Sequence, residues 1–317
     1  MNIPEFTKKL IEETEKIIVG KRRQIELIIM AMLADGHVLL DDLPGVGKTT
    51  LVKTMSIASG CSFKRIQFVP DLLPSDITGM NIYDRKSGEF RMLRGPVFTN
   101  ILLADEINRA VPRTQSALLE AMEERQVTID GETLALPRPF MVMATQNPVE
   151  SESTFRLPAA QMDRFLVRLS MGYPDSEDEI RMLRNLGDAI PFGSVGTVTS
   201  PEEINEMKKS VADITMSDQV AEYIVALVGA TRADSSVKMG CSPRASRALF
   251  RASKAWAAMA GRQFVTPDDV QTLAVPVLAH RLALTNSASM TSKTEQSVMT
   301  DILGRVPVPP RSGEVFK

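Results

Sequence analysis

The sequence predicts an α/β fold, in which a parallel five-stranded sheet carries helices on both faces and a helical domain follows. In the first part of the chain, apolar segments typical of buried strands alternate with helical patterns, as parallel sheets require because their crossovers are usually helices. After Pro174 the strand patterns stop and helix starts follow, such as Ser200-Pro201-Glu202. We therefore expect an α/β core at residues 1–173, a helical domain at residues 174–305 and a tail at residues 306–317.

Apolar periodicity places the individual elements. Residues 5–18 and 22–34 carry apolar side chains at helical spacing, and Ile18-Val19-Gly20-Lys21 breaks the pattern between them. A further helix is predicted at residues 114–124, with hairpins before and after it at residues 82–90 and 126–136. The predicted strands of the sheet lie at residues 37–41, 63–68, 101–106, 140–145 and 165–169.

Composition argues against several classes of protein. The 317 residues are 44% apolar and 24% charged, and the net charge is −2 with basic and acidic residues interleaved, so tight nucleic-acid binding is not expected. Cys61 and Cys241 are far apart, and His37 and His280 are the only histidines, which gives no support for a disulfide framework or a zinc site. No apolar run approaches about 18 residues, and the N-terminus lacks a signal-peptide core. We therefore expect a cytoplasmic protein without a membrane span.

The segment after the first strand has the residue types of a phosphate-binding loop. Glycines let the main chain curl so that backbone N–H groups converge on a phosphate, and the helix that follows adds its positive N-terminal dipole. Lys48 would reach the β- and γ-phosphates, and the Thr49 hydroxyl would hold Mg²⁺. An ordinary strand-to-helix turn is the alternative. The residues predicted to bind a nucleoside triphosphate are Pro44, Gly45, Val46, Gly47, Lys48, Thr49 and Thr50.

One position of this loop departs from the usual pattern GxxxxGK[ST]. The pattern begins with glycine, whereas this chain has Asp42 there. Because that position begins the loop and does not approach the phosphates as closely as the later glycines, we expect the loop to bind phosphate nevertheless.

Polar residues end the third and fourth strands. Asp105 and Glu106 follow an apolar run, and the carboxyl ends of parallel strands lie at the edge of the sheet that faces the phosphate loop. Asp105 would hold Mg²⁺ through water, and Glu106 would polarise the attacking water. Asn147 could orient that water or sense the γ-phosphate. The alternatives are a pair of solvated carboxylates and a turn residue before Pro148.

Arg164 is a candidate for reaching the γ-phosphate of a neighbouring subunit. It precedes the last strand, and a guanidinium suits this role because it stays charged and bonds phosphate in a fork. Arg156 and Arg168 compete with it. A local ion pair with Asp163 is the alternative interpretation.

Arg244 is the corresponding candidate in the helical domain. It lies in the first turn of a predicted helix, where a cation is unfavourable against the helix dipole, so we expect an anion nearby. Arg247, one turn further on, could take this role instead, and a solvent-facing Arg244 without function is the remaining alternative.

Several strings of residues match a known family. The segments at residues 39–50, 144–148, 157–165 and 242–246, together with LADEINRA at 103–110 and TQSALLEAMEE at 114–124, resemble the MoxR group of AAA+ ATPases. The resemblance covers nearly the whole chain, and the last two strings are highly specific together. Val111 stands where the family usually has proline, which is a small departure at a helix start.

The resemblance implies a role for each candidate residue and a P-loop AAA+ core with a C-terminal all-α lid domain. Val19 and Gly20 belong to a stretch that resembles the lining of the family's adenine pocket, and the two hairpins look like the insertion in helix 2 and the hairpin before sensor 1. The implied roles are Walker A for Lys48 and Thr49, Walker B for Asp105 and Glu106, sensor 1 for Asn147, arginine finger for Arg164 and sensor 2 for Arg244.

The resemblance also implies cofactors and partners. Family members use ATP and Mg²⁺, form homo-oligomeric rings that are often hexameric, and act as chaperone-like remodellers. Their clients often contain von Willebrand factor A domains, in metal insertion or complex maturation. We therefore expect an ATP-hydrolysing remodeller of protein partners.

Other functions remain open at this stage. An ATPase subunit of a metal chelatase shares much of the pattern. A nucleic-acid motor would want basic or aromatic hairpin tips, for which Arg85-Lys86 is the only hint, because residues 130–132 of the second hairpin are acidic. A phosphate-loop kinase would be a monomer in which Arg164 has no partner subunit. A nucleotide-gated binding module would not need Glu106.

Overall fold

The computed structural model of the protein describes residues 1–147, 155, 157–186 and 190–310. The helices are α1 (Ile3–Glu15), α2 (Arg22–Leu33), α3 (Lys48–Ala58), α4 (Pro74–Thr78), α5 (Pro112–Glu124), α6 (Ala159–Met162), α7 (Ser176–Leu186), α8 (Pro201–Ala212), α9 (Asp218–Ala233), α10 (Pro243–Met259), α11 (Pro267–Leu278), α12 (Asn286–Met290) and α13 (Glu295–Arg305). The strands are β1 (Val38–Asp41), β2 (Phe63–Gln67), β3 (Gly79–Asp84), β4 (Glu89–Arg94), β5 (Ile101–Asp105), β6 (Gln126–Ile129), β7 (Glu132–Ala135), β8 (Met141–Gln146), β9 (Val167–Leu169), β10 (Val237–Met239) and β11 (Ala283–Leu284).

The predicted five-stranded parallel sheet is confirmed. Its strand order is β2-β5-β8-β1-β9, and every neighbouring pair is parallel. The last strand begins at Val167 rather than Phe165, because the Phe165 N–H bonds the Met162 carbonyl in the turn after α6. Since β5, β8 and β1 are neighbours, the polar residues at their carboxyl ends meet at one edge of the sheet.

Apolar side chains cover both faces of this sheet. Successive residues of a strand point to opposite faces, so Leu40 packs in a cluster with α1, α2 and α3, whereas Leu39 packs in a second cluster with α5. The first cluster continues into the C-terminal helices through residues such as Ile204 and Leu249. The C-terminal helices therefore pack directly on the α/β part.

Both predicted hairpins are present. The strands β3 and β4 pair from Gly79 with Arg94 to Asp84 with Glu89, and β6 pairs with β7. The Asn81 side chain donates to Asp130 Oδ2 at 2.9 Å, which joins the two hairpins. Tyr83 and Phe90 stack edge to face on the first hairpin and are 57% and 75% exposed.

The C-terminal part is helical, as predicted. The structure adds one small antiparallel pair, β10 with β11, which is too short to leave an alternating pattern in the sequence. Ser200, Ser217 and Ser242 cap helices with their side chains. No helix within the described ranges is long and apolar enough to cross a membrane.

Candidate active site

The phosphate loop has the backbone that its glycines predict. Gly45 and Gly47 both have φ of +84°, and a Cβ at either position would meet no atom within 4 Å. Such positive φ values favour glycine. Gly47 is the N-cap of α3, so the N–H groups of the first helical turn face the loop and can receive an anion.

Lys48 lies folded back into the loop. Its ammonium group donates to the carbonyl oxygens of Asp42 at 2.7 Å and Leu43 at 3.2 Å. Both acceptors are backbone groups of the same loop. The loop backbone therefore holds the Lys48 charge at the mouth of the site.

Asp42 explains the departure from the loop pattern. Its carboxylate accepts hydrogen bonds from the Ser170 hydroxyl at 2.7 Å, the Gly172 N–H at 3.1 Å and the Met171 N–H. Its φ is not in the left-handed region, so glycine is not required there. The side chain instead ties the start of the loop to the segment that follows β9.

Asp105 is held from both neighbouring strands. Arg65 of β2 reaches Asp105 Oδ2 with Nη2 at 2.6 Å and Nε at 3.1 Å. The Thr145 hydroxyl of β8 donates to Oδ1 at 2.5 Å. Both carboxylate oxygens are therefore oriented, and a cation already compensates their charge.

Glu106 is held in the same way but in an unusual backbone conformation. Its φ is +56°, which is uncommon for a residue other than glycine, and its N–H donates to Thr145 Oγ1 at 2.8 Å. Gln67 of β2 donates to Glu106 Oε2 at 2.6 Å, and Arg109 lies 3.1 Å from the same oxygen. The left-handed backbone aims the carboxylate away from the strand direction, towards the loop.

These groups line one cavity of about 410 Å³, which we call the loop cavity. It brings together both predicted acids, Asn147 and the predicted loop residues except Val46, which packs against the apolar core instead. Arg65 and Gln67 also line it, although the sequence reading missed them. Their signal was available, because they are polar residues near the carboxyl end of a strand that pairs with the strand of Asp105. The lining residues are Pro44, Gly45, Gly47, Lys48, Thr49, Thr50, Arg65, Gln67, Asp105, Glu106 and Asn147.

Arg164 lies outside the loop cavity. It donates to the Leu119 carbonyl, and its Nη2 lies 3.1 Å from Glu123 Oε2 at the end of α5. The alternative of a local ion pair with Asp163 is not what the structure shows, because Asp163 binds Ser242 and Arg281 instead.

The competing arginines have different positions. Arg168 pairs with Asp41 of β1, which occupies its guanidinium with a carboxylate of its own sheet. Arg156 lies outside the described residues.

Arg244 is close to Arg164 rather than to Lys48. Its Nη2 lies 2.8 Å from Glu123 Oε1, so the anion expected near this helix start is Glu123. Arg247 makes no side-chain hydrogen bond or ion pair within the described part of the chain. Both line a cavity of about 360 Å³, the arginine cavity, whose charged lining residues are Asp35, Glu123, Arg125, Asp163, Arg164, Arg244, Arg247, Arg251 and Arg281. None of the described residues lines both cavities.

Comparison with known proteins identifies the family to which the chain belongs. A family model described as an ATPase family associated with various cellular activities matches residues 37–167, and an AAA lid domain model matches residues 229–302. Chaperone MoxR1 of Mycobacterium tuberculosis is 41% identical over 95% of this chain and 82% of its own length. The chain belongs to the MoxR family of AAA+ ATPases.

Other relatives agree with this assignment. Protein MoxR of Paracoccus denitrificans is 32% identical over 84% of this chain and 86% of its own. A solved structure from Cytophaga hutchinsonii, which carries a provisional ATPase description, has a TM-score of 0.91 and 37% identity, covering 97% of this chain and 96% of that one. The protein is therefore a chaperone-like MoxR-family enzyme that hydrolyses ATP.

In this MoxR-family ATPase, Val19 and Gly20 do not line the loop cavity. Gly20 has φ of +71°, and a Cβ there would overlap the Asp178 carboxylate. Lys21 next to it donates to the Tyr173 carbonyl at 3.0 Å. The stretch therefore contacts the segment after β9 that Asp42 also holds, and the adenine contact stays a prediction.

Both histidines of the MoxR-family ATPase are buried and hydrogen-bonded. His37 Nδ1 accepts from the Val142 N–H at 2.9 Å, and Nε2 lies 3.0 Å from the Met122 carbonyl, which fixes a neutral tautomer. Burial, with the Arg125 charge as a second cause, lowers the pKa of His37 well below its ordinary value. Burial, with Arg281 second, does the same to the pKa of His280. Both histidines are therefore neutral parts of the core.

Proposed function

We propose that this MoxR-family ATPase works as a ring whose active sites are shared between neighbouring subunits, and that it remodels protein partners. The observation that carries the proposal is the separation of two sets of candidate groups. The phosphate loop, both acids and Asn147 line the loop cavity, whereas Arg164 and Arg244 line the arginine cavity. A second subunit that brings its arginine cavity to the loop cavity of the first would complete the site.

The residues of the loop cavity fit ATP and Mg²⁺. The left-handed glycines leave open space where a phosphate can approach the backbone, and a loop of this kind with Lys48 and Thr49 suits the triphosphate. Asp105 and the Thr49 hydroxyl would hold Mg²⁺, which supplies positive charge to the phosphates. Glu106 would take the proton of the attacking water, and Asn147 would orient that water.

The arginine cavity would contribute the remaining positive charge. Charge spreads over the γ-phosphoryl oxygens in the transition state, and a guanidinium can bind two of them at once. Arg164 and Arg244 share one counter-ion and lie next to each other. Their proximity supports the proposal that they act together on one phosphate.

Exposed apolar side chains support an assembly. Ile180 and Leu183, one turn apart on α7, are 47% and 75% exposed, and Tyr173 just before this helix is 70% exposed. Apolar surface of this kind is usually covered by a partner. We propose that a neighbouring subunit, in a hexameric ring, covers α7.

The client is expected to be a protein. The hairpin of β3 and β4 presents Tyr83 and Phe90 to solvent, and exposed aromatic pairs of this type are common in protein contacts. We propose that it receives a client, such as a protein with a von Willebrand factor A domain, during maturation or metal insertion.

Complementation between two inactive variants tests the shared site. The Lys48→Ala subunit has an intact arginine cavity but a phosphate loop that cannot bind ATP. The Arg164→Ala subunit has an intact phosphate loop but lacks the arginine that reaches its neighbour. A mixture that exchanges subunits should form some interfaces with both halves intact, so part of the ATPase activity should return. Native mass with and without ATP is measured alongside. A mixture that exchanges subunits but stays inactive, or a chain that stays monomeric with ATP, contradicts the proposal.

A further inference from the structure

We propose that Glu123 is the positioning residue that holds Arg164 and Arg244 together as one phosphate-binding pair. The inference rests on the shared active site proposed above and goes beyond it, because it assigns a function to a side chain that does not line the loop cavity. Glu123 lies at the C-terminal end of α5, close to the last turn of the helix.

The two carboxylate oxygens of Glu123 are divided between the two arginines. Oε2 lies 3.1 Å from Arg164 Nη2, and Oε1 lies 2.8 Å from Arg244 Nη2. Arg164 belongs to the α/β part and Arg244 to the first turn of α10 in the helical part. One side chain therefore connects two cations that come from different parts of the chain.

Further contacts hold the segments next to the Glu123 ion pairs in place. The Ser242 hydroxyl, at the N-cap of α10, donates to Asp163 Oδ2 at 2.9 Å, and Arg281 pairs with the other oxygen of Asp163. Arg164 follows Asp163 directly and also bonds the Leu119 carbonyl of α5. The Arg164 N–H also bonds the Gln161 carbonyl, so the backbone here is held in place. The Leu119 carbonyl binds Nη1 of Arg164, and Glu123 binds the Nη2 groups of both arginines.

Among the described residues that line the arginine cavity, the two other acids are already committed elsewhere. Asp35 pairs with Arg125 and Lys208, and Asp163 is occupied by Arg281 and Ser242. Without the Glu123 charge, two like charges would face each other with no counter-ion between them, and they would separate. The Arg244 side chain is 58% exposed, and Glu123 is its ion-pair partner within the described part of the chain, so loss of the Glu123 charge would release its guanidinium.

Glu123→Gln removes the charge while keeping the size of the side chain. The amide retains an oxygen for one arginine, but its NH₂ group faces the other guanidinium, donor against donor. Partly exposed ion pairs contribute little to stability, so the variant should fold normally. The matched control is Glu124→Gln, because Glu124 is exposed and makes no side-chain hydrogen bond or ion pair within the described residues.

Steady-state kinetics of the assembled protein give the first readout. We expect Glu123→Gln to lower kcat by about 10- to 100-fold, because a misplacement of about 1 Å can cost about 10²-fold. KM for ATP and the melting temperature should stay unchanged, since the loop cavity is intact. Glu124→Gln should match the wild type. An unchanged kcat in Glu123→Gln overturns the proposal, and so does a raised kcat, which would mean that Glu123 competes with the phosphate.

Mixing of variant subunits tests whether Glu123→Gln impairs the subunit that supplies the arginines or the subunit that supplies the phosphate loop. Glu123→Gln mixed with Lys48→Ala should regain activity, as Arg164→Ala with Lys48→Ala does, whereas Glu123→Gln mixed with Arg164→Ala should gain none. If only the Arg164→Ala mixture regains activity, the role of Glu123 is wrong and the shared site stands. If neither mixture with Lys48→Ala regains activity, the shared site fails and the role of Glu123 fails with it.

Discussion

The loop cavity and the arginine cavity are built in opposite ways. In the loop cavity, the carboxylates of Asp105 and Glu106 each receive support from the neighbouring strand β2, through Arg65 and Gln67. In the arginine cavity, cations outnumber acids, and helices from distant parts of the chain supply them. The first site is therefore organised by sheet topology, and the second by contacts between the α/β part and the helical part.

The two cavities differ in how rigidly their side chains are held. A sheet edge places side chains rigidly because hydrogen-bonded strands fix them on both sides. Arginines held by one shared carboxylate can be released by a small shift between packed elements. We therefore expect the loop cavity to govern nucleotide binding and the activation of water, and the arginine cavity to affect turnover without affecting binding.

The largest expected effect comes from removing Arg164. Arg164→Ala should lower kcat by about 10³- to 10⁵-fold, the range for an arginine of this type, because the γ-phosphoryl charge loses its partner. ATP affinity of the single subunit should stay nearly intact, since the loop cavity is unchanged. Turnover assays with equilibrium binding measure both. Arg113→Ala is the control, because this exposed arginine of α5 has no side-chain partner within the described residues.

A normal rate of ATP hydrolysis in Arg164→Ala would show that another arginine reaches the γ-phosphate of the neighbouring subunit. Arg156 is then the better candidate, because the structure commits Arg168 to an ion pair with Asp41.

Within the loop cavity, two variants should separate binding from chemistry. Lys48→Ala should lose nucleotide binding, because the ammonium charge that faces the phosphates is gone. Glu106→Gln should keep binding and lose about 10²- to 10⁴-fold in turnover, as expected for a general base. Binding is measured with a fluorescent ATP analogue and turnover by phosphate release. Wild-type turnover in Glu106→Gln contradicts the assignment of the base.

A smaller effect concerns the pH dependence of stability, through the two buried histidines. The pKa values of His37 and His280 lie well below the ordinary value, so the unfolded chain takes up protons near pH 6.5 that the folded chain does not. Above about pH 6.5 the histidines are neutral in both the folded and the unfolded chain, so they do not make stability depend on pH. Below that pH only the unfolded chain is protonated, and the free energy of unfolding should fall by about 1.4 kcal/mol per pH unit for each histidine. Urea unfolding between pH 7.5 and 5.5 measures this. A constant free energy of unfolding across that range would show that these groups protonate in the folded state.

The smallest expected effect is the binding of nucleic acid, which we expect to be weak. The net charge is −2 and basic residues are interleaved with acidic ones along the chain, whereas tight nucleic-acid binding needs clustered free cations along the backbone phosphates. Fluorescence anisotropy with single- and double-stranded DNA at physiological salt should show no submicromolar binding. Tight, salt-sensitive binding would instead favour a nucleic-acid-dependent motor and make Arg85 and Lys86 of the first hairpin the residues to test.

The sequence by itself determined the sheet, the phosphate loop and the pair of acids. These features depend on residues that are adjacent in the chain, so apolar runs and glycine spacing reveal them directly. The strand bounds of the five-stranded sheet differed from the prediction by at most two residues, as at Val167, because local turns decide where pairing begins. The first hairpin, predicted at residues 82–90, begins three residues earlier and ends four residues later, at Gly79 and Arg94.

Only the tertiary structure decided how polar side chains pair across elements. The Asp42 carboxylate, which stands in place of a glycine, accepts from the Ser170 hydroxyl and from the N–H groups of Met171 and Gly172. Glu123 joins two arginines that are far from it in the chain. Such pairs leave no periodic signal, since each depends on a single contact between segments that folding brings together. The position of Arg65 and Gln67 near the end of a strand was readable from the sequence, but their pairing with Asp105 and Glu106 was not. The packing of α10 likewise decided that Arg244 lines the arginine cavity and not the loop cavity.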